Sequence, residues 1–249
     1  MNNGNFYLAI ISTNRVDNVS KMAKFLNGEL KASWYVADDG DEAHGYRLAG
    51  ADNVVRAGKL MQARNFALRD AMKEKLPCVQ LYDELKKFEL ATSKEKKDNK
   101  PLSISAAVDM ILETMNDIGA HYGGVAPTAN AFYFNPEKPV STNSFIVGDF
   151  TVYHPEIPDS NGGLLRFDQE MTLKEDYDFT CQHLTTFGVV ARRNDILATF
   201  LHRQNAGGAV DYRTANEESK NIKHLRNKWG DVIKPHPTRD NEVILKWGN

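Results

Sequence analysis

The chain has 249 residues, 31 basic and 33 acidic side chains, a formal net charge of −2, 41% apolar residues and 26% charged ones. That balance excludes a chain disordered throughout and supplies the apolar mass for one large α/β domain. Near-neutrality excludes a protein that coats nucleic acid through overall charge, while leaving room for an enzyme with a local basic groove.

Phe6–Ser12 (FYLAIIS) is a short apolar run that predicts a buried strand, followed by the loop Thr13-Asn14-Arg15. Val19–Leu26 has helical spacing, and Ala32–Ala37 predicts a second strand running into the acidic turn Asp38-Asp39-Gly40-Asp41-Glu42. Asn53–Arg56 is a third short strand candidate. Leu60–Glu74 predicts a helix, because Leu60, Ala63, Phe66-Ala67 and Ala71 recur at i+3 and i+4. Cys78–Tyr82 predicts a strand that delivers Asp83-Glu84. Thr92–Lys100 is a solvated segment. Pro101–Gly119 is a helix with Ser103 as its N-cap. The second half offers Gly123-Gly124, a strand over Phe145–Asp149, a helix over Thr180–Phe187, and strand or mixed segments at Gly188–Arg192 and Ile196–Leu201. A turn at Gln204–Gly208, a polar helix over Asn216–Lys228 and a closing strand over Glu242–Trp247 complete the chain. Strands alternating with helices predict a mixed, mostly parallel α/β sheet flanked by helices.

No apolar run approaches the ~20 residues that cross a bilayer. The opening MNNGNFYLAIISTNR lacks a basic leader region, so the expectation is a cytoplasmic protein with no membrane partner and no obligate protein partner. Cys78 and Cys181 have no CxxC spacing and are expected to be reduced, buried thiols.

Ligands of open α/β sheets sit beyond the carboxyl ends of the strands. Three polar clusters fall there: Thr13-Asn14-Arg15, Asp38-Asp39 and Asp83-Glu84. Two adjacent carboxylates such as Asp83 and Glu84 suit Mg²⁺ or Mn²⁺, hard cations that bridge diphosphate oxygens; the alternative is a solvated strand-to-helix turn. Arg15 can pair with a phosphate or a base edge, Asp38 or Asp39 can accept from ribose or uracil, and Arg64 and Asn65 can face the same pocket. Glu175-Asp176, just before a helix, can supply a general base; its plain alternative is helix capping. His224 and His236 flank a basic C-terminal segment and offer a further metal ligand or phosphate contact. No GxxxxGK[ST], GxGxxG or GxSxG pattern occurs, which argues against P-loop, Rossmann and α/β-hydrolase chemistry.

A strand with Asn-Arg, a strand ending in Asp-Asp, a helix with RNxAL, a strand ending in an acidic pair and a downstream Glu-Asp together resemble the GT-A glycosyltransferase fold. Leu81-Tyr82-Asp83-Glu84 stands at its DxD metal motif and Leu173-Lys174-Glu175-Asp176 at its xED motif. The finer pattern is similar to the bacteriophage TET/JBP-associated glycosyltransferases, over Ile11–Arg15, Arg64–Leu68, Gly123-Gly124 through Pro127, Thr128 and Asn130, Phe145–Asp149, KEDYDFTCQH and QNAGGAVDYRT. The resemblance implies one domain over 1–249, with a nucleotide-sugar half (1–120) and an acceptor half (121–249). It implies Thr13, Arg15, Asp38, Asp39, Arg64, Asn65 and Gly124 at a UDP-sugar donor, and Mn²⁺ or Mg²⁺ on Asp83 and Glu84, with His224 as a further ligand. Asp176 is then the base beside Glu175, and 5-hydroxymethylcytosine in DNA the acceptor, in a phage-encoded enzyme of the host cytoplasm. Arg192, Arg193, Arg203, Arg213, Lys220, Lys223 and Lys228 would meet DNA phosphates. The triplet departs from the pattern, with Tyr82 and Glu84 where carboxylate and aspartate are usual. The alternatives are a GT-A enzyme with a saccharide or lipid acceptor, a sugar-phosphate nucleotidyltransferase, and a binding module without turnover.

Overall fold

The first two strands are buried at every position and mostly apolar, as strands covered on both faces are. β1 (Tyr7–Ile11), β2 (Ala32–Val36) and β4 (Cys78–Tyr82) form the parallel centre of an eight-stranded sheet, with β3 (Asn53–Arg56) at one edge. The structure, a computed structural model, describes residues 3–38, 40–95, 98–128, 134–159, 161–201 and 213–248. β4 is followed by β5 (Leu85–Leu90) and β6 (Lys100–Pro101), and the far half of the sheet comes from β7 (Tyr122–Val125), β8 (Val140–Ser141), β9 (Phe150–Tyr153) and β10 (Ala191–Arg193). The order is β3-β2-β1-β4-β9-β7-β10-β8. β3-β2, β2-β1, β1-β4 and β7-β10 pair in parallel; β9 runs against both β4 and β7, and β8 against β10. β5 also joins β6 and β11 (Ile196–Phe200) in a small antiparallel sheet.

Alternating side chains along the strands feed two cores. Leu8, Ile10, Trp34, Val79 and Leu81 pack beneath α1 (Asn18–Leu26), α2 (Glu42–Leu48) and α4 (Ile104–Ile118). Tyr7, Ala9, Ile11, Tyr35 and Cys78 pack on the opposite face against α3 (Leu60–Lys73) and α5 (Glu175–Phe187). A smaller cluster seats α6 (Ala215–Trp229) and the hairpin of β12 (Ile233–Pro235) and β13 (Val243–Leu245) on the outer side of α5. One sheet thus runs through both halves of the chain, giving a single α/β domain. No helix among the described residues is long and apolar enough to cross a membrane.

The strands predicted in the first half, the two long helices and the Ser103 cap are observed, the last with Ser103 Oγ accepting from the Ala106 N–H. Both cysteines are free and buried. Four expectations change. The strand expected over Phe145–Asp149 begins only at Phe150, because Gly148-Asp149 form the turn that enters it. The acidic turn after β2 runs into a helix, α2, that begins at its last residue, Glu42, and the acid pair after β4 leads into a strand, β5, where the alternative reading had a helix. The second-half helix starts a turn and more before Thr180, so Glu175-Asp176 lie inside its first turn. The turn expected at Gln204–Gly208 lies outside the described residues.

Candidate active site

The strand order reverses direction between β1 and β4, and such a switch point opens a crevice beyond the carboxyl ends. β1 delivers Ser12 to Arg15 there. Asn14 takes the left-handed conformation (φ 57°), which Asn tolerates better than most residues. The turn is pinned by two backbone donors: Asn14 N–H to Glu42 Oε1 at 2.6 Å and Arg15 N–H to the Tyr46 hydroxyl at 3.1 Å.

β4 delivers Asp83 and Glu84, both buried. Asp83 Oδ2 accepts from Ser12 Oγ and, at 3.2 Å, from Asn18 Nδ2. Ser12 spends its one proton on Asp83, so the short contact between Tyr46 and Ser12 has Tyr46 as donor. The remaining oxygens converge: Arg15 Nη1 stands 3.3 Å from Asp83 Oδ1 and 2.8 Å from Glu84 Oε2. Burial raises the Asp83 pKa, against the lowering pull of Ser12, Arg15 and Asn18. Two oriented carboxylate oxygens facing one point of positive charge are the donor set a divalent cation uses. That convergence is the observation on which a fit to Mn²⁺ or Mg²⁺ rests.

A cleft of about 650 Å³ opens beside this point, lined by Asn14, Arg15, Asp17, Asp41 and Glu42. Thr13, just before this lining in sequence, is half-buried. Asp38 is exposed, 3.9 Å from Arg56; Asp39 lies outside the described residues.

The second acid pair reaches the same edge through β9. Tyr82 N–H donates to Asp149 O (3.0 Å), and the neighbouring Gly148 N–H donates to Asp176 Oδ2 (3.2 Å). Burial, then the charges of Glu175 and Asp149, push the Asp176 carboxyl up to about 7, against Arg64 and the Gly148 N–H. A helix N-terminus favours its ionised form. Asp176 is thus a carboxylate that can take a proton near neutral pH.

Several expected ligands prove to be framework. Arg64 is fully enclosed, where the sequence reading put it at the nucleotide. Its guanidinium donates to Gln80 Oε1 (2.9 Å), Tyr82 Oη (2.7 Å), Gly148 O (3.0 Å) and Glu175 Oε1 (3.1 Å). A Cβ on Gly148 would stand 2.5 Å from Arg64 Nη2, so glycine permits this approach. Asn65 closes a two-way bond with the Phe167 backbone (2.9 and 2.8 Å) and also leaves the donor set. Gly124 lies buried in β7 against Ile146 and Phe150, a packing position instead of a donor contact.

His224 does not join Asp83 and Glu84. Its Nε2 lies 3.1 Å from Asp168 Oδ2, and Asp168, Glu170 and His224 form the one group of three metal-ligating side chains among the described residues. Lys228 Nζ lies 3.0 Å from the same Asp168 oxygen, as Arg15 does beside the Asp83-Glu84 pair. His236 stays at its own turn, with Nδ1 3.2 Å from the Thr238 nitrogen and Nε2 3.1 Å from Arg239 Nε, of which a neutral imidazole accepts from one.

The basic residues expected on DNA are mostly committed internally. Arg193 is bidentate on Asp195 (2.8 and 2.6 Å), and Arg192 binds Asn194 and the Phe145 carbonyl. Arg213 pairs with Glu218, Lys220 lies 4.0 Å from Glu217, and Lys228 bridges Asp168 and Asp178. Arg203 lies outside the described residues. Lys223 is exposed and has no ion pair among them.

Sequence reasoning missed Ser12, Asn18, Tyr46, Asp149 and Lys174. Lys174 is the left-handed residue before α5 (φ 64°), and its buried ammonium joins Glu218 (3.0 Å) and Glu242 (2.8 Å), holding the start of α5 to α6 and β13. No protein-family model and no curated protein matches the chain.

Proposed function

We propose that this protein is a metal-dependent glycosyltransferase of GT-A type that moves a hexose from a UDP-sugar to an acceptor hydroxyl. The observation that carries the reading is the convergence of Asp83 Oδ1 and Glu84 Oε2 on one cation position at the β1/β4 switch point. Glu175-Asp176, tied to the same edge through Gly148-Asp149, supports it, because group transfer to a hydroxyl needs a base on the acceptor side.

Asp83 and Glu84 would hold the Mn²⁺ or Mg²⁺, which would supply positive charge to a departing diphosphate. Ser12 and Asn18 fix the Asp83 carboxylate for this role. Arg15 lines the cleft and offers its guanidinium to the phosphates, and Asp41 and Glu42 stand where ribose and base hydroxyl or N–H groups need acceptors. Asp176 takes the acceptor proton as the anomeric carbon is attacked. Arg64, with Tyr82, holds Glu175 and the Gly148 turn beside it.

The resemblance to the phage enzymes points to 5-hydroxymethylcytosine in DNA as acceptor. A second reading, an uncharged saccharide acceptor, draws on the internal pairing of Arg192, Arg193, Arg213 and Lys228, which spends charge a DNA phosphate would need. The test is mass spectrometry of products after incubation with hydroxymethylcytosine DNA or a panel of simple glycosides, a UDP-sugar panel and Mn²⁺, with an EDTA control. An EDTA-sensitive hexose gain on the nucleoside supports the DNA acceptor, and one on a glycoside supports the second reading. No hexose gain on any hydroxyl, with no hydrolysis of any UDP-sugar, refutes the transferase.

A further inference from the structure

The position that suits a divalent cation is taken by a part of the chain itself. Arg15 Nη1 lies 3.3 Å from Asp83 Oδ1 and 2.8 Å from Glu84 Oε2, with the Arg15 side chain 10% exposed and the two carboxylates 0% and 6%. A metal ion and a guanidinium cannot share that point, since like charges a few ångströms apart in a poorly hydrated crevice repel strongly. The geometry also says which of the two moves. Asp83 keeps Ser12 and Asn18 on its other oxygen, so it stays oriented without Arg15. The Arg15 backbone is pinned by Tyr46 and its neighbour Asn14 by Glu42, so a change of partner falls to the Arg15 side chain. Arg15 also lines the 650 Å³ cleft, so a ligand that enters there meets this residue. Arg64, the other arginine on a carboxylate of this edge, has no such exit, being wholly enclosed.

We infer that Arg15 is a resident counter-cation at the Asp83-Glu84 site, displaced when a nucleoside diphosphate enters the cleft, so that metal and donor bind as a coupled pair. The inference rests on the metal reading proposed above. It assigns Arg15 two successive partners: the acid pair in the empty protein and the diphosphate in the loaded one. Without a diphosphate a metal must compete with the guanidinium; with one, the guanidinium has an anionic partner of its own. Binding of each then strengthens binding of the other, as linkage requires.

The test is direct Mn²⁺ binding, read by the free-ion electron paramagnetic resonance signal, in the full chain with and without UDP. Thermal melting serves as the folding check. The wild-type protein is expected to bind Mn²⁺ weakly alone and at least about tenfold more tightly with UDP, within the usual range of coupling between sites. Arg15→Gln is expected to bind Mn²⁺ at least about tenfold more tightly than wild type without UDP, and to gain less from UDP. Arg15→Lys keeps a charge too compact to bridge both carboxylates, is expected to lie between the two, and carries the test should Arg15→Gln fail to fold. If neither variant binds Mn²⁺ more tightly than wild type without UDP, while wild type with UDP binds it well, the resident-cation inference is overturned and the metal site stands. If no form binds Mn²⁺ even with UDP, the metal reading fails and the inference falls with it.

Discussion

Replacing Arg64 with methionine separates a framework arginine from a ligand-binding one. Methionine keeps much of the stem, but the four acceptors around the guanidinium lose their donor, at distances from 2.7 to 3.1 Å. Among them is Glu175, whose side chain is only 9% exposed. Removing one partner of a buried ion pair typically costs about 3–5 kcal/mol, because the remaining charge is left unpaired. A domain has about 5–15 kcal/mol in total. With about 1–3 kcal/mol per molar of urea, the unfolding midpoint should fall by at least about 1 M. The assay is urea unfolding at pH 7.5, followed by tryptophan fluorescence, beside UDP binding under native conditions. Adding Glu175→Gln to the Arg64→Met protein should return at least about 1 kcal/mol, since an amide tolerates burial without a cation better than a carboxylate does. A loss below about 1 kcal/mol, combined with abolished UDP binding, would refute the framework role and return Arg64 to the nucleotide.

Three further outcomes follow from the geometry. Asp176 must be ionised to accept a proton, so kcat/KM should fall as pH drops through about 7. Glu175→Gln, which removes a raising charge second only to burial, should move that limb to lower pH; a limb that stays put removes Asp176 as the base. Gly124→Ala should cost about 1–3 kcal/mol by overpacking, since the new Cβ meets Ile146 and stands 3.1 Å from the Phe150 carbonyl. Lost donor affinity at unchanged stability would contradict that packing role. His183 is buried, and burial foremost pulls its pKa from 6.5 to about 4. Protons then bind the unfolded chain more readily, so stability should decline as pH falls from about 6.5 to 4, by up to about 3 kcal/mol at 1.36 kcal/mol per unit. A His183→Phe protein with the same decline would locate the effect elsewhere.

The strands of the first half were legible because buried parallel strands are written as mostly apolar runs, and this placed Arg15, Asp83 and Glu84 beyond the ends of β1 and β4. β5 was not, because LKKFEL owes its pairing to β11, more than a hundred residues away in sequence. β9 was displaced because Phe145–Asp149 is as apolar as the strand that follows it, and the Gly148-Asp149 turn carries the only local sign of the entry point. Arg64 was misread although the signal existed: it sits on the same helical stripe as Met61, Leu68 and Ala71, all buried. An arginine on an apolar stripe belongs to the interior when the interior holds a carboxylate, and Glu175 lies too far along the chain to be seen from α3. His224 was misassigned for the same reason, its partner Asp168 being contributed by a loop before α5.

The antiparallel insertion of β9 next to β4 has a consequence for how the molecule comes into being. Val79 pairs with Val152 and Leu81 with Phe150, so β5, β6, α4 and β7 must all be spanned before the crevice gains its second wall. A nascent chain that has formed β1 to β4 owns the Asp83-Glu84 pair but lacks the Gly148-Asp149 turn and Asp176. Closure over that separation is slow compared with the local steps. The crevice proposed as the transfer site is therefore completed late, and fragments ending before β9 should lack its second wall.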